Sequence, residues 1–207
     1  MGDVSRETSA ALPARFGHIS GLFGRYADLL ATDGVTRGLI GPREVPRLWD
    51  RHILNSAVVA DLIPEGDSVV DVGSGAGLPG IPLAIVRPDL QVTLLEPLLR
   101  RSDFLREAVN VLELGDRVQV VRSRAEDHDG RYGTCTARAV APLSRLAPWC
   151  LPLVRPGGQL LAMKGASAEA EIADARPALR GTTVDIVKCG EADLSVPTTV
   201  VRVLVAR

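Results

Sequence analysis

A chain of 207 residues suits one domain with a short extension. Its 46% hydrophobic content supports a real core, yet no window approaches a membrane span. Lys and Arg number 24 against 25 Asp and Glu, a net charge of −1, so there is no global basic field and an RNA partner would need a local patch.

Residues 1–15 are small and polar and are expected to be disordered. They lack the apolar stretch of a signal peptide, which points to the cytoplasm. Residues 16–63 read as a helical extension. Apolar residues recur at Ile19, Leu22, Phe23, Tyr26, Leu29 and Leu30, the spacing of a helix from Phe16 to about Ala31 that Asp33-Gly34 ends. A second helix is expected from Arg51 to Ile63, with Ile53, Leu54, Val58, Val59 and Leu62 as its apolar face. Arg25, Arg37, Arg43, Arg47 and Arg51 on this extension suit either RNA backbone contacts or a solvated face.

Residues 64–207 alternate strands and helices. Strands are expected at Ser68–Val72, Gln91–Leu95, Val118–Val121, Tyr132 to about Ala139 and Gln159–Met163. Helices are expected at Pro79–Val86, about Leu98–Leu114, Leu143–Leu153 and Ala168–Leu179. Such alternation implies a parallel sheet with helices on both faces. Two last strands, near Thr183–Lys188 and Thr199–Val205, have no helix between them and imply an antiparallel edge hairpin. The expected architecture is α/β: a mostly parallel seven-stranded, Rossmann-like sheet in residues 64–207.

The chemistry gathers at Asp71-Val-Gly-Ser-Gly-Ala-Gly-Leu-Pro-Gly80, between a strand and a helix. Gly73, Gly75 and Gly77 let the backbone turn tightly and approach a ligand. A dinucleotide fingerprint wants G-x-G-x-x-G/A; here Leu78 occupies the place of its third glycine. Asp71 ends the first strand, and Glu96 follows the second, where an acid can accept from two ribose hydroxyls. Loop and acids together describe a nucleoside site. Cys135, Cys150 and Cys189 are widely spaced with no C-x-x-C, which suits small buried hydrophobes rather than zinc or disulfides. His18, His52 and His128 have no metal-ligand spacing, so no metal is expected.

The run DVGSGAGLPGIPLAIVRP over Asp71–Pro88, with Arg51-His-Ile-Leu-Asn-Ser56 upstream, resembles the glucose-inhibited division protein B family. The resemblance spans about Trp49 to Gly165. It implies a class I methyltransferase fold, S-adenosyl-L-methionine as cofactor and methylation at N7 of a guanine, at about position 527, in 16S rRNA of the small ribosomal subunit. It places Asp71, Gly73, Gly75, Gly77, Leu78 and Glu96 against the cofactor, and Ala125 and Glu126 beside its adenine. Arg138, in Thr-Ala-Arg-Ala, matches the family's S-R-A pattern and is a candidate for positioning substrate or the methionine carboxylate. Arg51, His52, Arg100, Arg101 and Lys164 are RNA-contact candidates, with Arg202 beside them. His52 is equally well read as a core histidine. The chain departs from the family at Asn55, commonly Asp, and at Val196-Pro-Thr-Thr-Val200, which lacks an arginine-histidine pair.

Guanine N7 carries an in-plane lone pair and no proton, so no acid or base residue is expected. Three other readings use the same loop: a nicotinamide-dependent oxidoreductase, a small-molecule methyltransferase and an RNA-binding module without catalysis. The glycine spacing and terminal hairpin weigh against the first.

Overall fold

A computed structural model describes residues 12–207. Most of the segment expected to be disordered, residues 1–11, lies outside the described residues, and Ala14 and Arg15 already belong to a 3₁₀ turn, Ala14–Ile19. The β-branched runs pair as expected. β1 (Ser68–Val72), β2 (Gln91–Leu95), β3 (Val118–Val121), β4 (Tyr132–Arg138) and β5 (Val154–Lys164) are parallel. β7 (Thr198–Val205) runs antiparallel between β5 and β6 (Thr182–Cys189). The sheet order is β3-β2-β1-β4-β5-β7-β6. β5 starts earlier than expected because Val154 pairs with Tyr132 ahead of the Pro-Gly-Gly turn, across a register shift.

Strand side chains alternate between two cores. Val69, Val92 and Leu94 face one core and Val70, Val72 and Leu95 the other. The first core is covered by α1 (Ser20–Leu29), α2 (Gly80–Val86) and α3 (Leu99–Val111), through Phe23, Tyr26, Ile81, Leu83, Phe104 and Leu105. The second is covered by α4 (Leu143–Cys150) and α5 (Ala168–Ala175). Each fully buried Leu, Ile or Phe contributes roughly 1.5–3 kcal/mol, so this layering carries most of the stability. Cys135, Cys150 and Cys189 are free and buried, as small hydrophobes.

The N-terminal extension is less regular than its periodicity suggests. α1 runs into a π turn, Leu30–Gly34. Residues 42–62 pass through a 3₁₀ turn (Pro42–Arg47), a π segment (Leu48–Leu54), one α turn (Asn55–Ala57) and another 3₁₀ turn (Val58–Leu62). Pro46 has no N–H to donate, which breaks regular α hydrogen bonding in the first of these. Leu48, Trp49, Ile53, Leu54 and Val58 still bury, with Phe23 set edge-on to Phe16 and Trp49.

Asp67 ties the foot of the sheet together. It accepts from the Thr134 hydroxyl at 2.7 Å and from Arg155 at 2.8 Å. The opposite, carboxyl ends of β1, β2 and β4 open beside the glycine loop, at the point where strand order reverses.

Candidate functional site

The loop after β1 needs its glycines for different reasons. Gly73, Gly75 and Gly77 have φ of +68°, +57° and +96°, left-handed values that strain other residues. A Cβ on Gly73 would also lie 2.8 Å from a Val140 methyl, so Val140 would have to shift to admit one. The loop is drawn onto the sheet by the N–H groups of Gly73 and Ser74, both donating to the Leu95 carbonyl.

Asp71 differs from expectation. It is fully buried rather than offered to a ligand. One carboxylate oxygen accepts from the Gly80 N–H and the other from the Thr136 hydroxyl, both at 3.1 Å. Burial pushes its pKa up to about 7, against the pull of those two donors. Asp71 thus staples the start of α2 to β1 and β4. Glu96 does similar work from β2: its two oxygens accept from the Gly75 and Leu98 N–H groups at 3.0 Å, and the residue is 1% exposed. Each oxygen retains one further lone pair.

Two cavities border this loop and a third adjoins them. A slot of about 200 Å³ lies between Gly73, Leu95, Pro97, Ala125, Glu126 and Trp149, with Val140 as its lip. A second space, about 260 Å³, follows Gly73–Ala76 and Leu78 to His52, Arg101 and Arg138. The largest, about 900 Å³, runs from Arg138–Pro142 past Lys164 to Arg51 and Lys188. Gly73 borders the first two, Val140 the first and third, and Arg138 and Ala139 the second and third. Ala139 has φ +55°, a left-handed value uncommon outside glycine. This kink ends β4 and carries the chain across to Val140.

Arg138 is not a free cation awaiting an anion. Its two terminal nitrogens donate to the Arg51 and His52 carbonyls, the Ser56 hydroxyl and His52 Nδ1, at 2.8–3.1 Å. The fork clamps residues 51–56 of the extension onto the end of β4. Because His52 Nδ1 accepts, its Nε2 carries the proton and donates to Glu44 at 2.9 Å. Burial holds the His52 pKa below its ordinary value, with Arg138 adding to the effect and Glu44 opposing it. His52 is thus held between Arg138 and Glu44 while also lining the second space.

Lys164 is likewise engaged, donating at 2.7 Å to the Ala141 carbonyl and to Glu171. Arg51 pairs with Glu44 at 3.4 Å yet keeps an exposed side chain between cavities, and Arg100 is exposed on the first turn of α3. Arg101 lines the second space. Arg202 is bound to Asp185, Arg37 to Glu107 and Arg25 to the Val111 carbonyl, while Arg43 and Arg47 are exposed.

Several residues of the site gave no signal in the sequence. The Tyr26 hydroxyl, buried within α1, donates to the Ala76 carbonyl at 2.8 Å and so holds the glycine loop from the extension. Its helical spacing marks it only as core. Val140, Trp149 and Thr136 act beside residues distant in the chain, and Glu44 through His52, eight positions on. Among the described residues no cluster of three His, Cys, Asp or Glu can hold a metal ion, and no helix is long and apolar enough to cross a membrane.

The geometry agrees with what this chain is similar to. The solved structure of the S-adenosylmethionine-dependent methyltransferase SibL superposes with a TM-score of 0.61 at 18% identity, over 81% of this chain and 60% of that one, a likeness of fold. The fold is that of class I S-adenosylmethionine-dependent methyltransferases. A protein of Streptomyces coelicolor called ribosomal RNA small subunit methyltransferase G is 59% identical over 86% of this chain and 77% of its own length. Its namesake from Thermobifida fusca is 57% identical, over 92% and 82% respectively. The model of the GidB family, described as rRNA small subunit methyltransferase G, matches residues 20–195, and this chain belongs to that family.

Proposed function

We propose that the chain transfers a methyl group from S-adenosyl-L-methionine to N7 of a guanine, at about position 527, in 16S rRNA of the small ribosomal subunit. On this reading it works in the cytoplasm, residues 64–207 carry the transfer and residues 16–63 form a cap that shapes the RNA face. The observation that carries the reading is the shared wall at Val140. A narrow slot and a large cavity flanked by Arg51, Lys164 and Lys188 open on its two sides.

The slot fits a nucleoside cofactor. Leu95, Ala125, Val140 and Trp149 give it apolar walls for a flat ring. Gly73 forms a cradle that a Cβ would fill. Glu96 braces the loop from behind by accepting from the Gly75 and Leu98 N–H groups. When bound, S-adenosylmethionine supplies an electrophilic methyl on a sulfonium. Asp71, Glu96 and Tyr26 keep the loop in one conformation. Arg138, with His52, fixes the wall between the loop and the large cavity. Exposed Arg51 and Arg100 offer forks for backbone phosphates.

Guanine N7 presents its lone pair without losing a proton, so the chain's part is approach and alignment. That suits a site where Asp71, His52 and Lys164 are held by protein partners. The test is transfer of labelled methyl to 30S particles from cells lacking the modification, followed by mapping of the labelled base. Label at guanine N7 supports the reading; label on another atom, or on no RNA, overturns it.

A further inference from the structure

The large cavity has a neighbour. A groove of about 710 Å³ runs between Arg47, Asp50 and Leu54 on the extension and Asp193–Val196 on the β6–β7 connection. Both spaces fall in the range that holds small ligands, about 300–1,000 Å³. Arg51, Asn55 and Val196 border both and form the septum between them. Val196 is 75% exposed, more than any other large apolar side chain among the described residues; the next, Leu98, is 53%.

A single exposed valine needs no explanation by itself. This one is held out by a fixed frame. Before it, Leu194 packs on the core and Asp193 pairs with Arg15 at 2.7 Å. After it, the buried Thr198 hydroxyl donates to the Asn55 carbonyl at 2.9 Å. The frame therefore projects a compact apolar side chain, beside a guanidinium, between two nucleotide-sized spaces.

Resting on the function proposed above, we infer that the groove is a subsite for the nucleotide next to the target guanosine, and that Val196 is a wedge keeping the two bases unstacked. A target base inside structured RNA has to leave its stack to be modified. Proteins hold stacks open by inserting apolar side chains between base steps. Arg51, on the septum, faces the phosphate that links the two nucleotides. Asp50, on the groove wall, disfavours a phosphate there and can accept from a base amino group.

The variants are Val196→Ala, which removes the wedge, and Val196→Leu, which retains apolar bulk. Each is assayed for methyl transfer to 30S particles from cells lacking the modification, and for binding an RNA fragment with 2-aminopurine beside the target guanine. Both variants should keep the wild-type Tm and affinity for S-adenosylhomocysteine. Val196→Ala should lose about tenfold in kcat, about 1.4 kcal/mol of transition-state stabilisation, together with the 2-aminopurine fluorescence rise, and Val196→Leu should recover most of both. Val196→Ala within twofold of wild type, or equal impairment of both variants, overturns the wedge. Failure of the wild-type enzyme to methylate RNA overturns the proposed function and the wedge with it.

Discussion

Replacing Asp71 by Asn tests the central brace. The buried carboxyl has its pKa raised from 3.8 to about 7 by desolvation. Between those values the folded protein binds a proton that the unfolded chain releases, so stability falls as pH rises through this window. At about 1.4 kcal/mol per pH unit, the group withholds about 1.6 kcal/mol at pH 5 and about 4 kcal/mol at pH 8, as orders of magnitude. Asparagine does not ionise, yet it can accept from Gly80 and donate to the Thr136 oxygen. Asp71→Asn should therefore gain on wild type by about 2.5 kcal/mol between pH 5 and pH 8. Urea unfolding of both proteins at pH 5, 6.5 and 8 measures this difference, and other titrating groups cancel in it. A gap that stays constant with pH would refute the assignment of Asp71 as a desolvated brace.

Gly75→Asp should fold but lose methyl transfer, because it sets a second carboxylate beside Glu96 on a residue with φ +57°; a fully active variant contradicts the placement of the site. Arg138→Lys exchanges a four-bond fork for a point charge and should cost roughly 2–3 kcal/mol, with faster hydrogen exchange across residues 48–57. Unaltered exchange would show that the clamp does not hold that segment. The His52 pKa is lowered, so its contribution to stability is complete above about pH 6.5 and is lost as pH falls through the lowered value. In a Trp149→Phe background Trp49 is the one tryptophan left. Its fluorescence should change as pH falls below about 6.5, and adding His52→Gln should abolish that change.

What was legible in the sequence depended on short range. The strand–glycine loop–helix frame is written in adjacent residues, and the strands announce themselves as β-branched runs. The terminal hairpin was readable from two strands with no helix between them. The roles of Asp71, His52 and Arg138 were not readable, because each depends on partners from other elements. Arg138 reaches residues 82–87 positions away, and nothing in Thr-Ala-Arg-Ala shows that four of its five donors are already engaged. The extension misled for another reason. Helical periodicity is nearly preserved when 3₁₀ and π turns follow one another, so the apolar spacing of residues 42–62 conceals their irregular backbone.

The Tyr26 and Arg138 bonds give the cap two grips on the cofactor side of the molecule, one on Ala76 and one at the end of β4. Any displacement of that cap disturbs the walls of the second space, which Ala76 and Arg138 both border. Under the proposed function, a cap that moves with the loop would link cofactor occupancy to RNA affinity, and linkage is reciprocal. Whatever factor cofactor binding contributes to the hold on RNA, RNA must return equally to the hold on cofactor, so measuring one half of that thermodynamic cycle determines the other.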